Sequence, residues 1–152
     1  MINERLLGAL AGGRSVIVGS VDARGIASCC RGLAIRPNEE AGTLTIYVPV
    51  ATAREVVANA ATTRKLAVAS SMPLDHTTIQ IKGTATDIRL AREDEKAFVA
   101  ERFDAFAGVL EQTGLPRRVS ARVGRWPAFA IDLTVEEVYD QTPGPRAGEP
   151  LR

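Results

Sequence analysis

Residues 77–90 have the sequence TTIQIKGTATDIRL, the longest stretch of this chain with the pattern of a single β-strand. In its first half Ile79 and Ile81 alternate with polar side chains, which is the period of a strand with one buried face. After Gly83 the apolar side chains move from odd to even positions. The pattern therefore predicts a β-bulge or sharp bend at the glycine. A long strand that bends and changes faces is typical of a barrel, where it wraps around the core.

The composition favours one soluble, folded domain. A chain of 152 residues with 45% hydrophobic content can bury a core without disulfides or metals. Its apolar runs are too short for a membrane span, and its N-terminus lacks a secretory signal, so we expect a cytoplasmic protein. The net charge of +1 provides no general attraction to nucleic acid or to a membrane surface, and neither is an expected partner.

Five other segments have strand patterns, at residues 15–21, 26–35, 43–48, 65–70 and from Ala128 onward. The first is apolar on both faces, which predicts a strand covered on both sides. In the third, Leu44, Ile46 and Val48 are expected to point inward and Tyr47 outward.

Three segments have helical patterns. Asn3 is placed to cap a short helix that ends before Gly12, and residues 93–110 carry an apolar stripe with helical spacing. A helix at residues 53–61 is expected to start with a capping box made by Thr52 and Glu55.

Together these elements predict a mainly β fold, a six-stranded antiparallel split or closed barrel with peripheral helices. Residues 1–140 are expected to form this single domain. Residues 141–152 form a tail rich in Pro and Gly, with few apolar side chains to pack.

Residues for acid, base or nucleophilic catalysis are scarce. His76 is the single histidine and lies in a predicted turn, away from any nucleophile motif. Cys29 and Cys30 are adjacent, so a disulfide between them would be strained, and we expect buried free thiols. With one histidine and no CxxC spacing, a metal site is not expected. We therefore predict no catalytic side chain.

Cationic, hydroxyl and amide side chains suggest instead a site for a planar anion. Arginine binds phosphate in a bidentate manner, and the first turn of a helix presents free amides. The residues concerned are Arg31, Arg36, Thr52, Arg54, Gln80 and Lys82. The alternative for each cation is a solvated surface charge. A basic segment at residues 117–125 has the same alternative, because no aromatic residues are interleaved with it for base stacking.

Four short runs of the sequence resemble the pyridoxamine 5'-phosphate oxidase-like FMN-binding split-barrel superfamily. They are RGLAIR (31–36), LTIY (44–47), TAR (52–54) and IQIKGTA (79–85). The resemblance extends over residues 15–89 and, more weakly, over the last strand and the tail. It implies a homodimer that binds two FMN molecules in grooves between the subunits.

The resemblance also implies roles for individual residues. Arg31 and Arg36 stand where the superfamily has an Arg and a Lys that contact flavin and phosphate. Thr52 and Arg54 match a Ser and a Lys that hold the phosphate, and Gln80 matches a glutamine that reaches the flavin ring. Tyr47 and Lys82 lie in the same runs and complete the expected FMN-binding set.

The function implied by the resemblance is an FMN-dependent oxidoreductase that acts on an unidentified small molecule, with the flavin carrying the redox chemistry. The C-terminal pattern for pyridoxamine phosphate is not recognisable, so a vitamin B6 oxidase is not expected. The alternative is a non-catalytic flavin- or heme-binding protein, or a sensor, on the same barrel.

Overall fold

The fold is described from a computed structural model, which covers residues 2–122 and 126–151. A single 3₁₀ turn (Glu93–Glu95) precedes the longest helix. The other elements, in chain order, are α1 (Glu4–Leu10), β1 (Ser15–Val21), β2 (Ala27–Arg31), β3 (Ala34–Asn38), β4 (Thr43–Pro49), α2 (Arg54–Thr63), β5 (Lys65–Ser71), β6 (Thr78–Leu90), α3 (Lys96–Gln112), α4 (Arg117–Ser120) and β7 (Ala128–Asp140).

The strands form one antiparallel sheet in the order β2-β1-β5-β6-β7-β4-β3. β2 and β3 follow each other in the chain but lie at opposite edges, so the sheet must curl. At the crossing, the Gly32 amide donates to the Val16 carbonyl and the Leu33 amide donates to the Tyr47 carbonyl, both at 2.8 Å. The sheet is not closed, because β2 and β3 are not paired. The predicted split-barrel class is confirmed.

The predicted number of strands is wrong by one, because residues 26–35 form two strands and the sheet has seven. The break falls at Gly32, where the backbone leaves β1 and crosses to β4. A Cβ atom at this position would lie 2.5 Å from Cγ1 of Val16. Only glycine permits so close a crossing. The sequence did not reveal the break, because the apolar pattern of the segment continues through Gly32.

The long strand is confirmed as β6, with an irregularity at Gly83. Lys82 pairs with Glu137 but Gly83 pairs with Val135, so the extra residue at this point belongs to β7. The predicted change of faces at Gly83 is wrong, because Ala85 is still buried. The faces change at a second register shift, which leaves Thr86 unpaired.

The main core lies inside the curled sheet, with a helix at each end. Leu6 of α1 closes one end, and Val56 and Ala60 of α2 close the other. One face of β1 is open, with Ile17 37% exposed, so the expected two-sided covering of this strand is wrong.

A second, smaller core lies outside the sheet, between β3, β4, β7 and α3. It contains Tyr47 and Val99, with Phe98 and Phe103 packed against it. β4 is therefore covered on both faces, and the expectation that Tyr47 points to the outside of the fold is wrong. The predicted helix at residues 93–110 is confirmed, divided into the 3₁₀ turn and α3.

The C-terminal tail packs more closely than its composition suggests. The Leu151 amide donates to the Val138 carbonyl at 2.7 Å, and Pro150 forms a β-bridge with Tyr139. The Leu151 side chain packs against the main core. Among the described helices, none is long and apolar enough to cross a membrane.

Candidate functional site

The open face of β2, β1, β5, β6 and β7 carries two lateral rows of side chains, which we call the platform. One row consists of Arg31, Ile17, Ala69, Gln80 and Tyr139, and the next of Cys29, Gly19, Ala67, Lys82 and Glu137. The middle of both rows is made of small or apolar residues, and the polar side chains stand at the sides. The platform therefore offers a nearly flat surface with polar edges.

Three of the predicted site residues lie on the platform. Arg31 and Gln80 are three strand spacings apart in the same row, about 14 Å. Lys82 is exposed in the next row, with its Nζ 4.9 Å from the centre of the Tyr139 ring. Among the described residues, neither of the two cations, Arg31 and Lys82, forms an ion pair with a carboxylate. Gln80 is uncharged.

Thr52 and Arg54 lie at the start of α2, as predicted, but the expected capping box is absent. The N-cap residue is Ala53, and no side chain accepts a hydrogen bond from the first turn. Glu55 instead accepts a bond from the Ser28 hydroxyl of β2 at 3.2 Å. This bond fixes the start of α2 beside the edge of the platform. The first-turn amides of a helix without a cap remain available to an anion.

Arg36 and Tyr47 lie elsewhere, beneath α3. The Arg36 guanidinium is stacked 4.1 Å from the centre of the Phe98 ring. Tyr47 has no exposed surface, and its hydroxyl donates to Glu95 Oε1 at 2.8 Å. The structure thus brings Arg31, Gln80 and Lys82 onto one face and leaves these two residues in the second core, where they hold α3.

The network around Glu95 was missed by the sequence analysis. The Glu95 carboxylate is 2% exposed and accepts two bonds from the Arg89 guanidinium and one from the Arg92 amide. The Arg89 bonds, followed by the Arg92 and Tyr47 bonds, lower the pKa of Glu95 to about 2 against the opposing effect of burial. Burial and the bond to Glu95 raise the pKa of Tyr47 to about 12. The one sequence signal for this network is the position of Glu95, three residues after Arg92, which is the spacing of a capping box.

The two cysteines are free thiols on opposite faces of β2, but the expectation that both are buried is wrong for Cys29. Cys29 is exposed on the platform. Cys30 is buried in the main core, where burial raises its pKa to about 11, so it remains a neutral thiol. In the described parts of the chain, no group of three or more His, Cys, Asp or Glu side chains is placed to bind a metal.

Two clefts lie near the ends of the sheet. A cleft of about 640 Å³ lies between α1, β6 and the tail, with Arg14 and Arg146 in its lining. A second, of about 550 Å³, adjoins the platform at Arg31 and is bounded by α3, α4 and the turn that contains His76. We call the second one the α3 cleft. His76, the single histidine, therefore lies at a cavity next to the platform. Among the described residues it has no partners for a catalytic triad.

The basic segment at residues 117–125 is partly neutralised. Arg117 forms ion pairs with Asp104 and, at 3.1 Å, with Glu111. Arg125, which also belonged to the predicted patch, lies outside the described residues.

No family model and no curated protein matches the sequence, but solved structures match the fold. An F420 reductase is 13% identical, with 90% of this chain and 98% of that chain covered and a TM-score of 0.57. A putative pyridoxamine 5'-phosphate oxidase from Lactobacillus delbrueckii is 17% identical, with 91% and 93% covered and a TM-score of 0.57. HutZ, a heme storage protein from Vibrio cholerae, is 9% identical, with 92% and 95% covered and a TM-score of 0.51.

The aligned regions cover nearly the whole of each chain. At sequence identities this low, the similarities show a shared fold. The chain therefore shares its fold with these proteins, among them a putative pyridoxamine 5'-phosphate oxidase.

Proposed function

We propose that this protein is an FMN-dependent oxidoreductase that acts as a homodimer on a small molecule. The observation that carries the proposal is the platform itself, a flat surface of small side chains with Gln80 and Lys82 at one side and the uncapped start of α2 beside its edge. A planar heterocycle with a phosphate on a flexible chain requires a surface of this kind and a separate anion site. The fold similarity to an F420 reductase and to a putative pyridoxamine 5'-phosphate oxidase supports it.

The residues present fit FMN. Arg54 is exposed next to the free first-turn amides of α2, so it and Thr52 would hold the phosphate. Gln80 can both donate to and accept from the edge of the flavin ring, and Lys82 adds a positive charge beside it. FMN, when bound, supplies the hydride or electron transfer that no side chain of this chain provides. Arg36 and Tyr47 belong to the second core and are left out of the proposed site.

The exposure of the platform supports the proposed homodimer. Ile17 is 37% exposed at its centre, between the small side chains of Gly19 and Ala69. A planar ligand on this face would still have its other side open to water. A second copy of the chain would cover both the ligand and Ile17, and burial of this apolar surface would stabilise the pair.

The first experiment is the absorption spectrum of the purified protein, followed by titration with FMN. We expect a flavin spectrum or tight uptake of added FMN. Arg54→Ala should weaken FMN binding about tenfold or more, because it removes charged bonds to the phosphate. Arg118→Ala, on α4 and also exposed, is the matched control and should bind FMN normally. Equal losses in the two variants would contradict the assignment of the phosphate to α2.

A second measurement separates enzyme from carrier. The FMN-loaded protein should be reduced by NAD(P)H without oxygen and should pass the electrons to an added acceptor over many turnovers. Binding of FMN without any reduction would show a flavin-binding protein that lacks the proposed activity.

The alternative function is heme binding without catalysis. One support for this alternative is the fold similarity to a heme storage protein. The other is that His76 and Met72, two side chains able to ligate heme iron, both line the α3 cleft. A Soret band on addition of hemin that disappears in His76→Ala would support this function. Uptake of FMN in preference to hemin would support the oxidoreductase.

A further inference from the structure

The α3 cleft combines an apolar wall with a single cation. Phe103, Phe106 and Leu115 line it on the side of α3 and the loop that follows. The opposite side is the outer end of the sheet, where the hydroxyls of Ser71 and Thr78 bond to each other at 3.0 Å. A volume of about 550 Å³ lies within the range of sites for small organic ligands.

Arg31 provides the only strong charge that the described lining of this cleft contains. Its Nη1 donates to the Ser15 hydroxyl at 3.0 Å, and its guanidinium carbon lies 5.5 Å from the centre of the Phe106 ring. These contacts fix the guanidinium at the cleft but do not neutralise it, since among the described residues no carboxylate lies within 4.0 Å of it. A half-buried arginine without a carboxylate partner favours an anionic ligand.

The surroundings also select the kind of anion. A phosphate dianion is best matched by several cationic or free donors. The described lining has one guanidinium, and its Thr78 and Ser120 hydroxyls already donate to backbone carbonyls. A carboxylate matches the two parallel N–H groups of one arginine. The aromatic side chains of Phe103 and Phe106 suit a flat ring next to that carboxylate.

We propose that the α3 cleft binds a small aromatic monocarboxylate, with the carboxylate on Arg31 and the ring against Phe103 and Leu115. The cleft opens onto the platform, so such a molecule would lie beside the proposed flavin. Its role as the substrate rests on the proposed function. Its binding does not, so the two proposals can fail separately.

The test uses two probes of equal shape, 2-naphthoate and its neutral amide 2-naphthamide, titrated calorimetrically into the full-length protein. We expect saturable binding of one 2-naphthoate per chain, about tenfold tighter than the amide, because the charged hydrogen bonds are lost in the amide. Arg31→Gln should remove this preference, whereas Arg118→Gln, on α4 but outside the cleft lining, should keep it. Equal affinities of the two probes in the unmodified protein would overturn the proposal.

Two further variants keep the test valid if Arg31→Gln disturbs the packing of α3. Arg31→Lys retains the charge and should retain a preference for the acid. Val119→Trp starts from a side chain that is 43% exposed at the cleft, so it should fold and fill the space, and both probes should then fail to bind. Unchanged binding in Val119→Trp would place the probes elsewhere and overturn the proposal.

FMN titration of the unmodified protein, alongside the 2-naphthoate titration, separates the two proposals. Normal FMN uptake with no 2-naphthoate binding would contradict the cleft proposal alone. Binding of 2-naphthoate to a protein that takes up no FMN would support the cleft and contradict the flavin assignment.

Discussion

At the scale of single residues, Glu95 shows how a charge can be buried at little cost. Its carboxylate accepts bonds from the Arg89 guanidinium, the Tyr47 hydroxyl and the Arg92 amide, so all its lone pairs face donors. These bonds join the start of α3 to β4 and β6. The network is structural, since its members are occupied with one another.

Loss of the Glu95 charge should therefore destabilise the fold. Glu95→Gln leaves the Arg89 charge without its partner, and we expect the free energy of unfolding to fall by about 3 kcal/mol at pH 7. Urea unfolding measures it. Glu93→Gln is the control, because Glu93 is exposed and among the described residues its one ion pair is with Lys96. It should change the free energy by less than about 0.5 kcal/mol.

The same carboxylate predicts a pH dependence. Folding lowers the pKa of Glu95 from 4.5 to about 2, so its contribution to stability is complete above pH 4.5 and is lost as the pH falls toward 2. The difference in unfolding free energy between the original protein and Glu95→Gln should accordingly shrink between pH 7 and pH 3. A constant difference over this range would show that the ion pair does not supply it.

At the scale of elements, the pairing of β6 with β7 depends on Gly83. A Cβ atom there would lie 2.0 Å from the Thr134 carbonyl oxygen, so the two strands would have to separate. We expect Gly83→Ala to lower the free energy of unfolding by about 3 kcal/mol or more. Gly8→Ala, in α1 with nothing near the added atom, should be neutral or stabilising by up to about 1 kcal/mol. Chemical unfolding of both variants tests the comparison.

The start of α2 gives a second prediction at this scale. Thr52 makes no capping bond in the structure, so Thr52→Ala should change the free energy of unfolding by less than about 0.5 kcal/mol. A true capping box would lose about 1 kcal/mol in the same substitution. A loss of that size in thermal or urea unfolding would show that the cap forms in solution.

Elements with a regular local pattern could be predicted well. β1 has the predicted bounds, and β5 and β6 differ by a single residue, because alternation of apolar residues specifies a strand without further information. The division at Gly32 could not be predicted, since the reason for it is a contact with Val16, sixteen residues away in the chain. The capping box failed because Glu55 is held by Ser28 of another strand.

At the scale of the whole molecule, the platform is the surface that a second copy is proposed to cover. Ile17→Glu places a charge at its centre and should convert the proposed dimer to a monomer, as measured by sedimentation. Leu90→Glu is the control, because Leu90 is more exposed, at 61%, but lies at the end of β6 away from the platform. A dimer that persists in Ile17→Glu would mean that subunits associate through another face.

The candidate site could be predicted only in part. Gln80 and Lys82 were placed on one outward face by the period of β6, and Arg31 joins them because the strand registers align. Arg36 and Tyr47 have the same local signals, yet the helix α3 covers them. The Glu95 network and the α3 cleft depend on contacts between distant segments, which no local pattern contains.

The sequence by itself determined β1, β5, β6 and the long helix, the inward faces of β5 and of the first half of β6, and the mainly antiparallel class, because these follow from side-chain periodicity and short turns. The tertiary structure decided which of the outward side chains remain accessible. Curling of the sheet at Gly32 and packing of α3 on Tyr47 left Arg31, Gln80 and Lys82 on one open face. Such packing depends on long-range contacts and is therefore not encoded in any single stretch of the chain.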